Sequence, residues 1–452
     1  MTNTSGIPVK LEKLFWAFLF INPFLDIING IYINLVMGVD VLDVKFATTL
    51  GVTPSLVVRM AMLAVFALYI LLLRDRRSIL AALPIGLCWA LSVVSEYLAF
   101  RQVQLFIDMQ YAARFCYNIA LLMVYTHVFA ARWGSDGKAL LRALDDIIAF
   151  SVFVLSFSIL LSAVIGVGYS TYADRLGYRG NRGFFYAGND ISAVLLLLLP
   201  LNVASFLQMD RRSAGKLRSV FYAVAGGFGA NALMILGSKT AFIAFGLTYA
   251  VFLIAAVRSV VRSGFGPTAK GFILSVISVF AVFIVLMLLS DMELWYSIVA
   301  SFNVTGELAR REGMRTALMS GRQVKLAEHF RQFTHGGVLV WLFGLGRGSQ
   351  AEILEMDVFE VIFYYGLTGM FAFLFLYAKA VIDFFSRFLR RRDLVCNALV
   401  LSLGMCSAYL ILAGHVLFSV TSGFYFAFAI VYSRVYFADR PEEILFWKQK
   451  RS

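Results

Sequence analysis

The sequence predicts an all-α polytopic membrane protein of about twelve transmembrane helices, with both termini on the cytoplasmic side. Three observations carry that prediction. Hydrophobic residues make up 60% of the chain and charged residues 15%, where soluble domains carry about a quarter charged; the mean hydropathy is +0.81. Apolar runs of spanning length recur along the chain, and in lipid a helix satisfies its own backbone hydrogen bonds. Lys and Arg concentrate in every second loop between those runs.

Between charged breaks the runs fall at 14–36, 56–73, 79–100, 112–131, 147–168, 189–207, 219–237, 240–257, 271–290, 358–378, 397–414 and 416–434. The first, from Leu14, lacks a small-residue cleavage site and reads as a retained helix, not a signal peptide. From Arg218 to Arg258 the one charge is Lys239. That interval is too long for one span and right for two, folded at GSKT (237–240). Residues 397–433 carry no Lys, Arg, Asp or Glu, and Gly414–His415 is their expected turn. The basic loops are those of Arg74, Arg76 and Arg77; of Arg132, Lys138 and Arg142; of Arg211, Arg212, Lys216 and Arg218; of Arg258, Arg262 and Lys270; and of Arg387, Arg390, Arg391 and Arg392. Placing them inside puts the tail with Arg434, Arg440, Lys448, Lys450 and Arg451 inside as well.

No linker or low-complexity tract divides the chain, so 1–452 is read as a single transmembrane domain. Residues 291–357 form its one long loop, facing outward between the ninth and tenth spans. Within it, 308–322 and 323–333 have helical spacing of apolar positions, so the loop is expected to be partly helical and to lie on the membrane. Loops of that length are commonly lids or binding elements. Cys88, Cys116, Cys396 and Cys406 sit in or beside apolar runs and read as small buried hydrophobes. The net charge of +13 is assigned to loops facing anionic lipid, with no nucleic-acid partner. The histidines His127, His329, His335 and His415 lack metal-ligand spacing, so no metal is expected.

Positive charge on the outer side is the anomaly in this pattern. The loop ADRLGYRGNRGFFYAGNDIS (173–192) holds Arg175, Arg179 and Arg182. The long loop holds Arg310, Arg311, Arg315, Arg322, Lys325 and Arg331, and Lys239 sits at the outer tip of a hairpin. Arginine's planar fork matches phosphate oxygens and stays charged, which suits a diphosphate whose lipid tail lies in the bilayer. The plain alternative pairs these groups with Asp174, Asp291, Glu293 and Glu307, or with headgroups. GFFYAG (183–188) and FGLGRGS (343–349) set small residues beside Arg182 and Arg347, where backbone can approach a ligand closely. Neither has the strand–turn–helix context of a nucleotide loop.

Carboxylates follow at the exit of the long loop, where Glu355 and Asp357 precede the tenth span, with Glu360 about one turn further in. A carboxylate there can serve as general base toward a sugar hydroxyl, or simply pair with an arginine. In NPFLDIING (22–30), Asp26 at membrane depth is either a functional group or, the preferred reading, a structural pin near a proline kink, and Glu96 is a similar case.

These motifs, in this order and topology, resemble the O-antigen ligase and O-antigen polymerase superfamily of membrane glycosyltransferases. RGNRGFFYAGNDIS (179–192) resembles its arginine–glycine–aromatic run, with Asn189 and Asp190 at the following helix start. GSKTAF (237–242) resembles its serine–arginine turn, with Lys239 in place of arginine. SGR (320–322) with LFGLGRG (342–348), and EMDVFEVIFYYGLTG (355–369), resemble the long-loop signature and the segment after it. The resemblance covers about residues 170–380. It implies a GT-C-like fold in the bacterial inner membrane, the long loop being periplasmic, and an undecaprenyl-diphosphate-linked oligosaccharide as donor. It implies no cofactor and no metal, inversion at the anomeric carbon, and membrane lipids and a chain-length regulator protein as partners.

The site implied has Arg322, Lys239 and Arg182 on the diphosphate, Arg179, Arg311, Arg315, Arg347, Asn189 and Asp190 as further contacts to the diphosphate or glycan, and Glu355 or Asp357 as base. Ligases of lipid A core usually carry histidine where Glu355 stands, so the departure favours a polymerase or another relative over such a ligase. Lys239 keeps the charge but loses the bidentate fork. A flippase or transporter is the competing class. It would show two similar halves with mid-membrane charges, and the long loop has no counterpart in the first half.

Overall fold

The computed structural model describes residues 6–36, 53–174, 177–209, 215–290, 293–314, 319–350, 353–388, 391–412 and 414–447. They form a helical bundle with one short β-hairpin. Among them, ten helices are long and apolar enough to cross a membrane. First come α1 (Gly6–Ile31, prolonged by a π-helical turn Tyr32–Val36), α2 (Pro54–Leu72) and α3 (Arg76–Phe100). The helix α4 (Leu105–Val164) bends at Asp136, where φ is −163° and ψ 94°, so its two arms are the expected spans at 112–131 and 147–168. The hairpin β1 (Ser170–Asp174) and β2 (Gly177–Asn181) leads to α5 (Gly188–Gln208), α6 (Lys216–Leu236), α7 (Lys239–Ser263) and α8 (Pro267–Leu289). The long loop contributes α9 (Glu293–Glu312), α10 (Arg322–His335) and α11 (Gly337–Phe343). The chain finishes with α12 (Asp357–Phe388), α13 (Leu394–Leu412), α14 (Ser422–Phe437) and the short α15 (Pro441–Ile444).

Two expected spans lie outside the ten: the first arm of α4 and α14, which has 16 residues. The last span begins at Ser422 and not at 416 for a local reason. The Val416 and Leu417 N–H groups donate to Asp357 Oδ2 (2.5 and 2.9 Å), so a carboxylate on another helix takes the place of a preceding helical turn. The fold at 237–240 falls where the sequence puts it. Gly237 ends α6 in the left-handed region, and the Ser238 hydroxyl caps α7 by accepting from the Ala241 N–H (3.1 Å).

The core is centred on α5, which is buried from Ile191 to Leu207 and packs on α4, α6, α7, α13 and α14. By contrast α8 presents Ile273, Ile277, Phe280, Ile284 and Leu288 outward, as a helix facing hydrocarbon should. Charged pairs sort to the bundle's two ends. One end carries Arg218–Asp146 (2.8 Å), Arg434–Asp383 (2.8 Å), His127–Asp75 (3.0 Å) and Arg391–Asp439 (3.2 Å). The start of α1 lies there, through Tyr69 donating to Glu12 (3.2 Å), and so does α15, through Arg387 donating to the Glu443 carbonyl (2.8 Å).

At the other end the hairpin, the α6–α7 turn and the loop helices meet. A Cβ on Gly237 would stand 2.6 Å from Ser301 Oγ on α9, and one on Gly180 would stand 2.2 Å from the Leu236 carbonyl oxygen. Only glycine lets the three elements approach that closely. The long loop is anchored a second time where α12 bends at Gly366 (φ 69°). The bend exposes the Phe363 and Tyr364 carbonyls, which accept from the Leu345 and Gly346 N–H groups (2.7 and 3.1 Å). The FGLGRG stretch therefore docks in the break of a membrane helix.

Candidate functional site

At the start of α10, Arg322 donates to Glu355 Oε2 (2.5 Å), with 11% of the arginine side chain and 40% of the glutamate side chain exposed. Both partners rest on unusual backbone: Glu355 has φ 59°, and Ser320, two residues before Arg322, has φ 54°. A non-glycine residue in the left-handed region costs on the order of 1 kcal/mol and persists where its surroundings fix it. For Glu355 the fixing bond runs from its own N–H to Glu360 Oε1 (2.7 Å). Lys239, at the first turn of α7, donates to Ser320 Oγ (2.9 Å), which brings it to the same corner.

Glu355 opens onto a cavity of about 210 Å³ between α1, α2, α4, the start of α5 and the 414–421 link. Its walls include Asp26, Arg59, Arg114, Asn189, Asp190 and His415. Two of these charges cancel: buried Arg59 donates to Asp26 Oδ1 (2.5 Å), Asn22 Oδ1 (3.1 Å) and Ser55 Oγ (2.9 Å), and Thr421 also donates to Asp26 (2.6 Å). Asp190 accepts from Ser419 Oγ (2.9 Å). Arg114 lines the cavity and forms no hydrogen bond or ion pair with any described residue. A half-buried guanidinium with no hydrogen-bond partner among the described residues is a ready site for an anion. Burial pushes the neighbouring Tyr186 hydroxyl's pKa up, so it stays a neutral hydrogen-bonding group.

Beneath the cavity lie Asp357 and Glu360, both fully buried on the first turn of α12. Tyr111 donates to Glu360 Oε2 (2.9 Å). His415 Nδ1 stands 3.7 Å from Asp357 Oδ1 and 3.6 Å from Glu360 Oε2, too far for hydrogen bonds. Burial, with Arg114 and Arg347 adding repulsion, pushes His415 down to about 3, so its imidazole is neutral. These are the groups among the described residues that can hold a metal ion, their ligand atoms all within 4.8 Å of one another. Histidine spacing could not reveal them, since they come from segments over fifty residues apart.

The residues singled out from sequence thus divide. Arg322, Glu355, Lys239, Asn189 and Asp190 gather at or beside the cavity. Asp357 does not line it and serves the 416–417 turn. Arg347 is buried below, its guanidinium donating to the Gln350 carbonyl (2.7 Å) and lying over the Tyr111 and Tyr364 rings (5.4 and 5.9 Å). The backbone N–H groups of Arg347 and Gly348 donate to Asp108 Oδ1 (2.8 and 3.0 Å). Arg182 is 8% exposed, its guanidinium over Tyr169 (5.8 Å), and does not line the cavity. Arg311 is exposed and pairs with Glu307 one turn back on α9. Arg315 lies outside the described residues; Arg179 lies on β2, opposite Tyr172, its side chain likewise outside them.

Arg59, Arg114, Tyr111 and His415 were not selected from sequence as site residues. Arg114 had a usable signal, a lone charge at the head of an otherwise apolar run, and intramembrane ionisable groups are functional by default. Arg59 had the same signal. Nothing local marks Tyr111 or His415.

No curated protein and no solved structure matches the chain. A family model described as O-antigen ligase like membrane protein matches residues 9–298 and 302–439. With helices, motifs and site end consistent along that whole length, the chain belongs to the O-antigen ligase-like family of multi-pass membrane proteins, whose members process glycans at the membrane.

Proposed function

We propose that the protein is a polysaccharide polymerase of the bacterial inner membrane. It transfers glycan from an undecaprenyl-diphosphate-linked donor to an acceptor sugar hydroxyl on the periplasmic side. The observation that carries this reading is the cavity that sets Arg114, which has no hydrogen-bond or ion-pair partner among the described residues, beside the exposed carboxylate of Glu355. The sidedness rests on charge: Arg74, Arg76, Arg77, Arg132, Arg142 and Arg218 belong to the opposite end, which the positive-inside rule puts in the cytoplasm.

In the mechanism, Arg114, Arg322 and Lys239 hold the diphosphate and stabilise the charge that grows on it. The acceptor oxygen attacks the anomeric carbon, the bond from that carbon to the diphosphate oxygen breaks, and Glu355 takes the hydroxyl proton. Direct displacement inverts the anomeric centre and leaves undecaprenyl diphosphate. No cation is needed at the diphosphate, since three fixed positive side chains serve it. Glu355 is favoured over Asp357 as base because Asp357 is fully buried and both its N–H donors belong to a turn.

The second reading, a ligase that moves glycan to lipid A core, is favoured by the family's description. The carboxylate at 355, where such ligases usually carry histidine, speaks for the polymerase. Purified protein in nanodiscs, given a lipid-linked repeat unit with and without lipid A core, separates them. A ladder without core supports the polymerase, and product only with core supports the ligase. The polymerase reading also expects Glu355→Gln to lose about 10²–10⁴-fold in turnover while still binding donor. Turnover by Glu355→Gln close to wild type would remove Glu355 as base.

A further inference from the structure

We infer that Asp357, Glu360 and His415 hold a divalent cation of the Mn²⁺ or Zn²⁺ class beneath the cavity, as a structural clamp between α12 and the 414–421 link. The first support is geometric. The gaps of 3.6 and 3.7 Å from His415 Nδ1 to the two carboxylates are too long for direct hydrogen bonds. Two ligands about 2.1 Å from one ion, at an angle of roughly 120°, stand about 3.6 Å apart.

The second support is electrostatic and independent of spacing. Asp357 and Glu360 are both fully buried, and neither forms an ion pair with a lysine or arginine among the described residues. Asp357 Oδ1 and His415 Nδ1 are buried with no hydrogen-bond partner, and they face each other. Buried carboxylates are paired, protonated or bound to metal. Arg347 acts on Glu360 only through space, its guanidinium being bonded to the Gln350 carbonyl and lying over the Tyr111 and Tyr364 rings, and Asp357 has no such cation among the described residues.

Bonds to the protein already orient both carboxylates. The outer oxygens are fixed, Asp357 Oδ2 by two backbone N–H groups and Glu360 Oε1 by the Glu355 N–H, and Tyr111 donates to Glu360 Oε2, the oxygen that faces His415. Such outer bonds aim ligands and tune the metal. One imidazole with two carboxylates suits Mn²⁺ or Zn²⁺ better than the all-oxygen shells of Ca²⁺. His415 also lines the cavity, which gives the ion a path in. Through Glu360 and the Glu355 N–H, the clamp would fix the backbone under the proposed base without touching substrate.

The full-length protein in detergent, stripped with EDTA and dialysed against graded Mn²⁺ or Zn²⁺, tests this directly by metal analysis, with EPR for Mn²⁺. About one equivalent per chain is expected, with a higher melting temperature in Mn²⁺ than in EDTA. Glu360→Gln and His415→Asn are expected to bind at least about tenfold more weakly, whereas Glu328→Gln, an exposed carboxylate on α10, binds as wild type. Sub-stoichiometric Mn²⁺ and Zn²⁺ on the stripped wild type, or a melting temperature indifferent to both, overturns the inference and leaves a shared proton between the carboxylates. Unchanged binding in both ligand variants overturns the location. If a variant misfolds, the wild-type titration alone decides. None of these readouts depends on the transferase reaction.

Discussion

Arg114 and Arg59 make a matched pair of perturbations, because both line the cavity and differ in whether the protein itself satisfies them. Arg114→Ala breaks no hydrogen bond or ion pair among the described residues, so its cost in stability is expected to be under about 1 kcal/mol. If the guanidinium serves the donor diphosphate, truncation removes one charge-assisted hydrogen bond or more, each worth about 1.5–3 kcal/mol. One such bond corresponds to roughly a ten- to hundredfold fall in kcat/KM, and two would multiply it. Arg59→Ala does the reverse. It removes bonds to Asp26, Asn22 and Ser55 and leaves Asp26 buried without its counter-charge, a loss of about 3–5 kcal/mol of stability. The assay pairs thermal unfolding in nanodiscs with donor turnover on a synthetic polyprenyl-diphosphate glycan. Arg114→Lys should recover part of the loss, since it keeps charge without the fork. If Arg114→Ala folds normally and keeps kcat/KM within a factor of about three, the cavity is not the diphosphate site.

Two further outcomes follow from the loop's anchoring. His329 on α10 lies against Phe363 and Tyr364, and burial first, with Arg347 and Lys325 adding repulsion, holds its pKa below the ordinary 6.5. The unfolded helix therefore binds more protons below pH 6.5, so docking of α10 is full above that pH and weakens as pH falls beneath it. Protection factors across 322–335, with exchange corrected for its intrinsic pH dependence, should fall from pH 7 to 5 in wild type and stay flat in His329→Phe; equal protection at both pH values would contradict the sign. Gly366→Ala places a Cβ 2.4 Å from the Leu342 backbone at φ 69°, adding about 1–3 kcal/mol of strain at the α11–α12 crossing. Its melting temperature should fall and the 337–350 segment become protease-sensitive; a wild-type melting curve would mean that the α11–α12 crossing yields to a Cβ without strain.

The sequence by itself determined the scaffold, because bilayer thickness and backbone hydrogen bonding admit few solutions for apolar runs of this length. It located the GSKT fold, the bend in 397–433, the helical long loop and the end of the bundle at which Lys239, Arg322, Glu355 and Asp190 meet. Only the tertiary structure decided what each charge does. Arg347 and Arg322 look alike in sequence, yet one is sealed beneath aromatic rings while the other reaches a carboxylate at the cavity. Glu355 and Asp357 are two residues apart, yet a left-handed backbone at 355 turns one toward the cavity while helix α12 buries the other under a distant turn. Arg114 and His415 reach the site from opposite halves of the chain, so local pattern could not join them. The physical reason is common to all of these cases. Burial in lipid is set by composition along the chain, whereas the state of a charge is set by its partners, and those arrive from tens to hundreds of residues away.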